Sequence, residues 1–163
     1  DPNRVFEKFK DLADKRQEIL GEDIEVLVAE EILRVPDRIQ LNYLNVISGT
    51  VAVPTAIVKL GIDGVEQQGA GFGVGPIDAT YNTIALMTGT KSKLVRFSIN
   101  AISGGTDAQG EVTVRLQENG FVALGKGADP DIFTASAKAY INGLNRLEYL
   151  KKNPSLSAEE RSL

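Results

Sequence analysis

From about residue 38 this chain says the same thing twice, and two copies of one supersecondary unit constrain the fold more than any other feature. Asn45-Val46-Ile47-Ser48-Gly49 returns as Asn100-Ala101-Ile102-Ser103-Gly104. Val58-Lys59-Leu60 with Asp63-Gly64 returns as Val114-Arg115-Leu116 with Asn119-Gly120. Each copy then reaches a glycine pair, Gly73-Val74-Gly75 or Gly125-Lys126-Gly127, and an alanine-rich helical run. The period is about 55 residues, and two copies are too few for a solenoid. Two such units are expected to pack about a pseudo-two-fold axis and to leave a cleft lined by equivalent loops.

Within each copy the apolar period changes from strand to helix. Ile39–Ser48 and Val51–Ile62 are rich in β-branched residues, and Asp63-Gly64 is a hairpin signal. Val65 to about Ala70 follows as a third strand, and Gly71–Pro76 reads as a glycine-rich loop. Pro76 suits a first helical turn, with Ile77, Tyr81, Ile84 and Ala85 on one face and Thr88-Gly89 at the end. The second copy repeats the order: strands at Leu94–Ile102, Glu111–Gln117 and Phe121–Gly125, then a helix from Asp129-Pro130-Asp131 through Leu147. Each copy is therefore βββα, over about 38–90 and 92–150, and each sheet needs a helix to cover its apolar face. The predicted class is α+β.

Residues 1–36 read as two helices. Val5, Phe9 and Leu12 recur at helical spacing, Gly21 interrupts, and Ile24, Leu27 and Val28 continue until Pro36. They form either a small domain of their own or a linker arm that docks on another domain, and the abrupt helical start favours a fragment. Residues 151–163 read as a flexible tail.

The chain has 163 residues, no cysteine and no histidine, and a net charge of -4. Disulfides, thiolate or histidine metal sites, and Ser-His or Cys-His catalysis are excluded for these residues. Lys and Arg are scattered, so no footprint for nucleic acid is visible, and no stretch has the length of a membrane span.

The candidate functional residues cluster at glycine loops. Gly73 and Gly75 precede a helix N-terminus, where free N–H groups favour an anion such as a carboxylate. The Lys-Ser/Thr pair of a phosphate loop is missing, and a purely structural connection would look the same. Asp78 and Asp107 could offset an ammonium group or could serve a helix end and a turn. Leu94, Phe97 and Ala101 lie along one strand, but their spacing puts all three on one face only if a bulge intervenes. Tyr81 reads as core. The small, polar run Ser103–Gly110 is longer than a tight hairpin needs, and suits binding or contact with a neighbouring subunit.

Three separated motifs carry a resemblance. Gly73–Ala79, Ser98–Val112 and Ala135–Asn142, in this order, resemble the C-terminal regulatory domain of the 2-isopropylmalate synthases, a domain shared by citramalate synthases. The likeness covers about residues 38–150, and residues 1–36 resemble the linker of those enzymes. It implies two βββα units that form a homodimer and bind an end-product amino acid between them, inhibiting a distant catalytic barrel. It implies that the barrel, an acyltransferase condensing acetyl-CoA with 2-oxoisovalerate at a divalent metal ion, is absent here. This fragment would then not be an enzyme and would hold no metal or cofactor. The linker's catalytic histidine would precede residue 1 or be replaced.

The resemblance assigns the effector site to Gly73, Gly75, Ile77, Asp78, Leu94, Phe97, Ala101, Asp107 and Ala108, with Pro130 before the last helix as a further contact. Phe97 stands where many relatives have tyrosine, so a hydroxyl contact there is lost. Leucine is the expected effector. Isoleucine, as for a citramalate synthase, is the rival, because one moved methyl discriminates weakly. A dimerisation module without effector binding is the third reading. A cytoplasmic location, with no nucleic acid or membrane partner, is implied.

Overall fold

The computed structural model describes residues 37–102 and 108–156. The helices expected over 1–36, Asp107 with the rest of its loop, and the tail from 157 lie outside the described residues. Asp37–Glu148 form one compact unit. The order is β1 (Ile39–Ile47), β2 (Thr55–Ile62), β3 (Val65–Phe72), α1 (Pro76–Thr88), β4 (Lys93–Ile102), β5 (Gln109–Glu118), β6 (Phe121–Asp129) and α2 (Ile132–Lys152). The strands make two antiparallel three-stranded sheets, β1-β2-β3 and β4-β5-β6. The expected α+β duplication of βββα is thus the observed architecture.

Local chemistry explains most of this. The hairpins β2-β3 and β5-β6 turn at Asp63-Gly64 (φ 52 and 81) and Asn119-Gly120 (φ 51 and 82). Paired positive φ values define the turn whose twist matches antiparallel strands, and Asp-Gly and Asn-Gly tolerate them best. Strict alternation then buries Ala56, Val58 and Leu60 on β2 and Val112, Val114 and Leu116 on β5, all at 0% exposure. One face of each central strand is core, and each helix lies over it.

The register corrects the sequence alignment of the two copies. The turns and central strands match at an offset of 56, so Val58 and Leu60 correspond to Val114 and Leu116. By that offset Gly125 and Gly127 correspond to Gly69 and Gly71, inside β3, and not to Gly73 and Gly75. Sequence reading ended the third strands too early, at about Ala70 and Gly125. The strands continue to Phe72 and Asp129, because glycine here admits the covering helix rather than breaking the strand. A Cβ on Gly125 would stand 2.1 Å from the Ala139 carbonyl, and one on Gly127 2.4 Å from that of Ala135. On β3 the same positions face the side chains of Met87 and Thr83.

Both first strands carry a bulge, at Asn42 and at Val95. Leu41, Leu44 and Val46 pair with Leu60, Val58 and Ala56, as Leu94, Phe97 and Ile99 pair with Leu116, Val114 and Val112. The structural offset in these strands is therefore 53 (94 − 41). The echo of Asn45–Gly49 in Asn100–Gly104 is out of step with that pairing.

The copies join through their helices. Thr80 on α1 and Ser136 and Ala137 on α2 are fully buried. Tyr81 stacks on Tyr140 with ring centroids 4.5 Å apart, and its hydroxyl donates to the Ser136 carbonyl at 3.0 Å. Burial pushes the Tyr81 phenol well above its ordinary pKa, so it remains a neutral donor. The helix contact between the halves is filled by side chains, so the expected cleft does not run through it.

Candidate functional site

Helix α1 begins without a side-chain cap. Gly75 occupies the N-cap in an extended conformation and offers no acceptor to the first-turn N–H groups, with Pro76 following. The loop before it is braced from within. Gly73 donates its N–H to the Pro54 carbonyl, and Val74 donates to Asp78 Oδ2 at 2.9 Å. Asn82 Nδ2 donates to the Phe72 carbonyl at 3.0 Å and lies 3.4 Å from Asp78 Oδ2. Asp78 thus holds the loop closed onto the helix. The two glycines differ in what they permit. A Cβ on Gly73 would lie 2.3 Å from the Ala79 nitrogen, whereas one on Gly75 meets nothing within 4 Å.

The bulge at Val95 settles the strand-face question raised by the spacing of Leu94, Phe97 and Ala101. One extra residue between Leu94 and Arg96 shifts the alternation. Leu94, Phe97, Ile99 and position 101 then sit opposite Leu116, Val114, Val112 and Gly110. Residues directly opposite in an antiparallel pair share a face, so the three expected positions fall on the core side of the second sheet. That side is incompletely covered along β4, where Leu94 is 42% and Ile99 50% exposed. Phe97 meets Tyr81 of α1 edge-on, with centroids 6.2 Å apart. Ile77, half-buried, is one helical turn before Tyr81 on the same side of α1.

The remaining expected residues stand at the far end of the second sheet. Ala108 precedes β5, Pro130 follows β6, and both are exposed. Gly110 pairs with Ala101 on one side and Asp129 on the other. Ile132 covers this end, since a Cβ on Gly110 would meet its Cδ1 at 2.8 Å. Sequence reading passed over Ile132, and its place after Asp129-Pro130-Asp131 was the available signal. Here α2 is capped: Asp131 Oδ2 accepts from the Thr134 N–H at 3.1 Å. Lys138 pairs with Asp129 at 2.9 Å, and that hydrogen bond holds the Asp129 carboxyl below its ordinary pKa. The two helix starts are therefore chemically unlike. Only α1 lacks a side-chain carboxylate at its N-cap position.

Among the described residues no group of three His, Cys, Asp or Glu side chains is placed to hold a metal ion, and no helix is long and apolar enough to cross a membrane. Two βββα units packed through their helices, with an apolar strip and an uncapped helix beside that contact, define a duplicated α+β domain. The chain belongs to the LeuA allosteric (dimerisation) domain family, whose model matches residues 18–148.

Its relatives agree with that assignment. A 2-isopropylmalate synthase of Syntrophus aciditrophicus is 55% identical over 151 residues, covering 93% of this chain and 29% of the relative. One from Nitratidesulfovibrio vulgaris is 56% identical, over 88% of the chain and 28% of the relative. One from Nitrosococcus oceani is 46% identical, over 90% and 29%. The chain thus spans less than a third of the length of these curated relatives.

Proposed function

We propose that this chain is the leucine-sensing regulatory region of a 2-isopropylmalate synthase and mediates feedback inhibition of leucine biosynthesis. The observation that carries this reading is the β4 bulge, which lines up Leu94, Phe97 and position 101 on an incompletely covered apolar face touching α1. Leucine offers matching chemistry. Its carboxylate suits the open N–H groups at Gly75 and the first turn of α1. Its isobutyl group suits the strip of Leu94, Phe97 and Ala101, with Ile77, Ala108 and Pro130 at the margins. The ammonium group falls to backbone carbonyls and Asp107, since Asp78 is engaged with Val74.

In the whole protein, an acyltransferase barrel would condense acetyl-CoA with 2-oxoisovalerate. The divalent metal and acetyl-CoA belong to that barrel, and no residue of this chain is assigned to either. A cytoplasmic homodimer completes the reading. The family's description names dimerisation beside allostery, so assembly without effector binding is the second reading.

Titration calorimetry with leucine, isoleucine and valine tests these readings together. Leucine should give a saturable heat and isoleucine a weaker one. The opposite order would favour a citramalate synthase, and no heat from any of the three would leave only assembly. The Gly75→Asp variant sharpens the test. Its Cβ has free space and aspartate is a good N-cap, so thermal stability should be unchanged or raised. The added carboxylate would oppose that of leucine, and affinity should fall by about tenfold or more. Unaltered leucine affinity in this variant would mean that the carboxylate binds elsewhere.

A further inference from the structure

The first residues of β1 are fastened to α2 as well as to β2. Ile39 pairs with Ile62 at a point where its N–H and C=O face away from the sheet. Asn145 of α2 meets both: Ile39 N–H donates to Asn145 Oδ1, and Asn145 Nδ2 donates to the Ile39 carbonyl, each at 2.9 Å. One residue earlier, Arg38 makes a two-pronged ion pair with Glu148 of α2, through Nε and Nη2 to the two carboxylate oxygens. Its remaining Nη1 reaches Asp63 in the β2-β3 turn at 3.0 Å. Ile39 is 1% and Asn145 4% exposed, so their paired hydrogen bonds are buried, while the Arg38 ion pairs lie at the rim.

Helix α2 also meets Tyr81, the residue beside the proposed effector strip. Ser136 and Tyr140, one helical turn apart and both N-terminal to Asn145 and Glu148 on α2, are the two positions that receive Tyr81. Tyr81 in turn abuts Phe97 on β4. A single helix therefore contacts the aromatic group beside the strip through its first half, and grips residues 38 and 39 through Asn145 and Glu148. A rigid helix held at both places cannot move at one without loading the other.

We infer that the Arg38–Glu148 and Ile39–Asn145 junction is the joint through which effector occupancy is delivered to the chain preceding residue 37. This rests on the effector reading above and adds its output. Leucine against Phe97 fixes Tyr81 and Tyr140, steadies α2, and tightens its grip on the start of β1. Arg38 and Asn145 are positioning residues in this scheme and do not touch the effector.

The test uses the 163-residue chain, with leucine affinity measured by calorimetry and the Ile39 amide followed by hydrogen exchange. Saturating leucine should slow Ile39 exchange by about tenfold, since exchange reports local opening. Glu148→Gln should leave leucine affinity within threefold while abolishing most of that slowing. Arg38→Lys, which keeps the charge but loses the fork, should do the same and stands in if the first variant folds poorly. Asp63→Asn, which removes only the other partner of Arg38, should behave as the unsubstituted chain. The joint is refuted if leucine binds with full heat and Ile39 exchange does not change. It is equally refuted if both Glu148→Gln and Arg38→Lys retain the response, or if they weaken binding in proportion. Absence of any heat from leucine in the unsubstituted chain would instead sink the effector reading, and the joint with it.

Discussion

Gly125→Ala should cost about 3 kcal/mol or more of folding stability, the upper end of what overpacking a core produces. The new methyl would sit 2.1 Å from the Ala139 carbonyl oxygen, 2.5 Å from the Gly143 nitrogen and 2.7 Å from the Gly143 Cα. All three are backbone atoms of α2, so no side chain can rotate away. The helix must lift from β6, and lifting it also opens the Tyr81–Tyr140 stack. Thermal or urea unfolding checks this, with Gly75→Ala as the companion variant, since its Cβ meets nothing within 4 Å and should leave stability unchanged. If Gly125→Ala melts with the unsubstituted chain, α2 does not lie this close to β6. The corresponding substitution Gly69→Ala should be milder, because the obstructing atoms belong to the flexible Met87 side chain.

Asn145→Ala should cost about 2–4 kcal/mol. The loss is larger than one average hydrogen bond, because removing the amide leaves both the N–H and the C=O of Ile39 buried and unpaired. The measurement is urea unfolding, with the slope unchanged and the midpoint lowered. The Ile39 amide should also exchange faster while amides at the centre of β2 do not. A loss below about 0.5 kcal/mol would show that water replaces the amide at this junction. The substitution acts at the same place as Glu148→Gln but through the opposite kind of group. Arg38 and Glu148 are partly exposed, at 28% and 34%, so their ion pair adds little stability and its role is directional.

Other features were legible in the residues because their causes are local. Two-residue turns at Asp63-Gly64 and Asn119-Gly120 follow from the φ values those residues tolerate, and they set hairpin positions in both copies. Alternation along β2 and β5 needs only the period of a strand. Pro76 marked the helix start and Gly89, with φ 68, its end. The duplication was visible because the buried positions of two similar units face similar demands. Gly73 and Gly75 stood out as glycines before a helix start, and the family motif added the effector role for them and for Leu94, Phe97 and Ala101; the fold brings Tyr81 of α1 against Phe97 of β4.

What one sequence determined, then, is the pair of hairpin-and-helix units, where each turns, and which side of each central strand goes inward, since all three depend on neighbours a few residues apart. Tertiary structure alone decided the rest. The bulge at Val95 is invisible in composition, because a β-branched residue suits either a regular or a bulged position, and only pairing with Arg115 and Leu116 reveals the extra residue. Gly125 reads as a strand end and Gly127 as lying beyond it, until a helix later in the chain is seen lying on both through Ala135, Ala139 and Gly143. Asn145 and Ile39 are 106 positions apart, and an amide in the middle of a helix carries no local sign of the strand it will hold. Contacts of that span are set by how two sheets and two helices close on one another, which no short stretch of residues encodes.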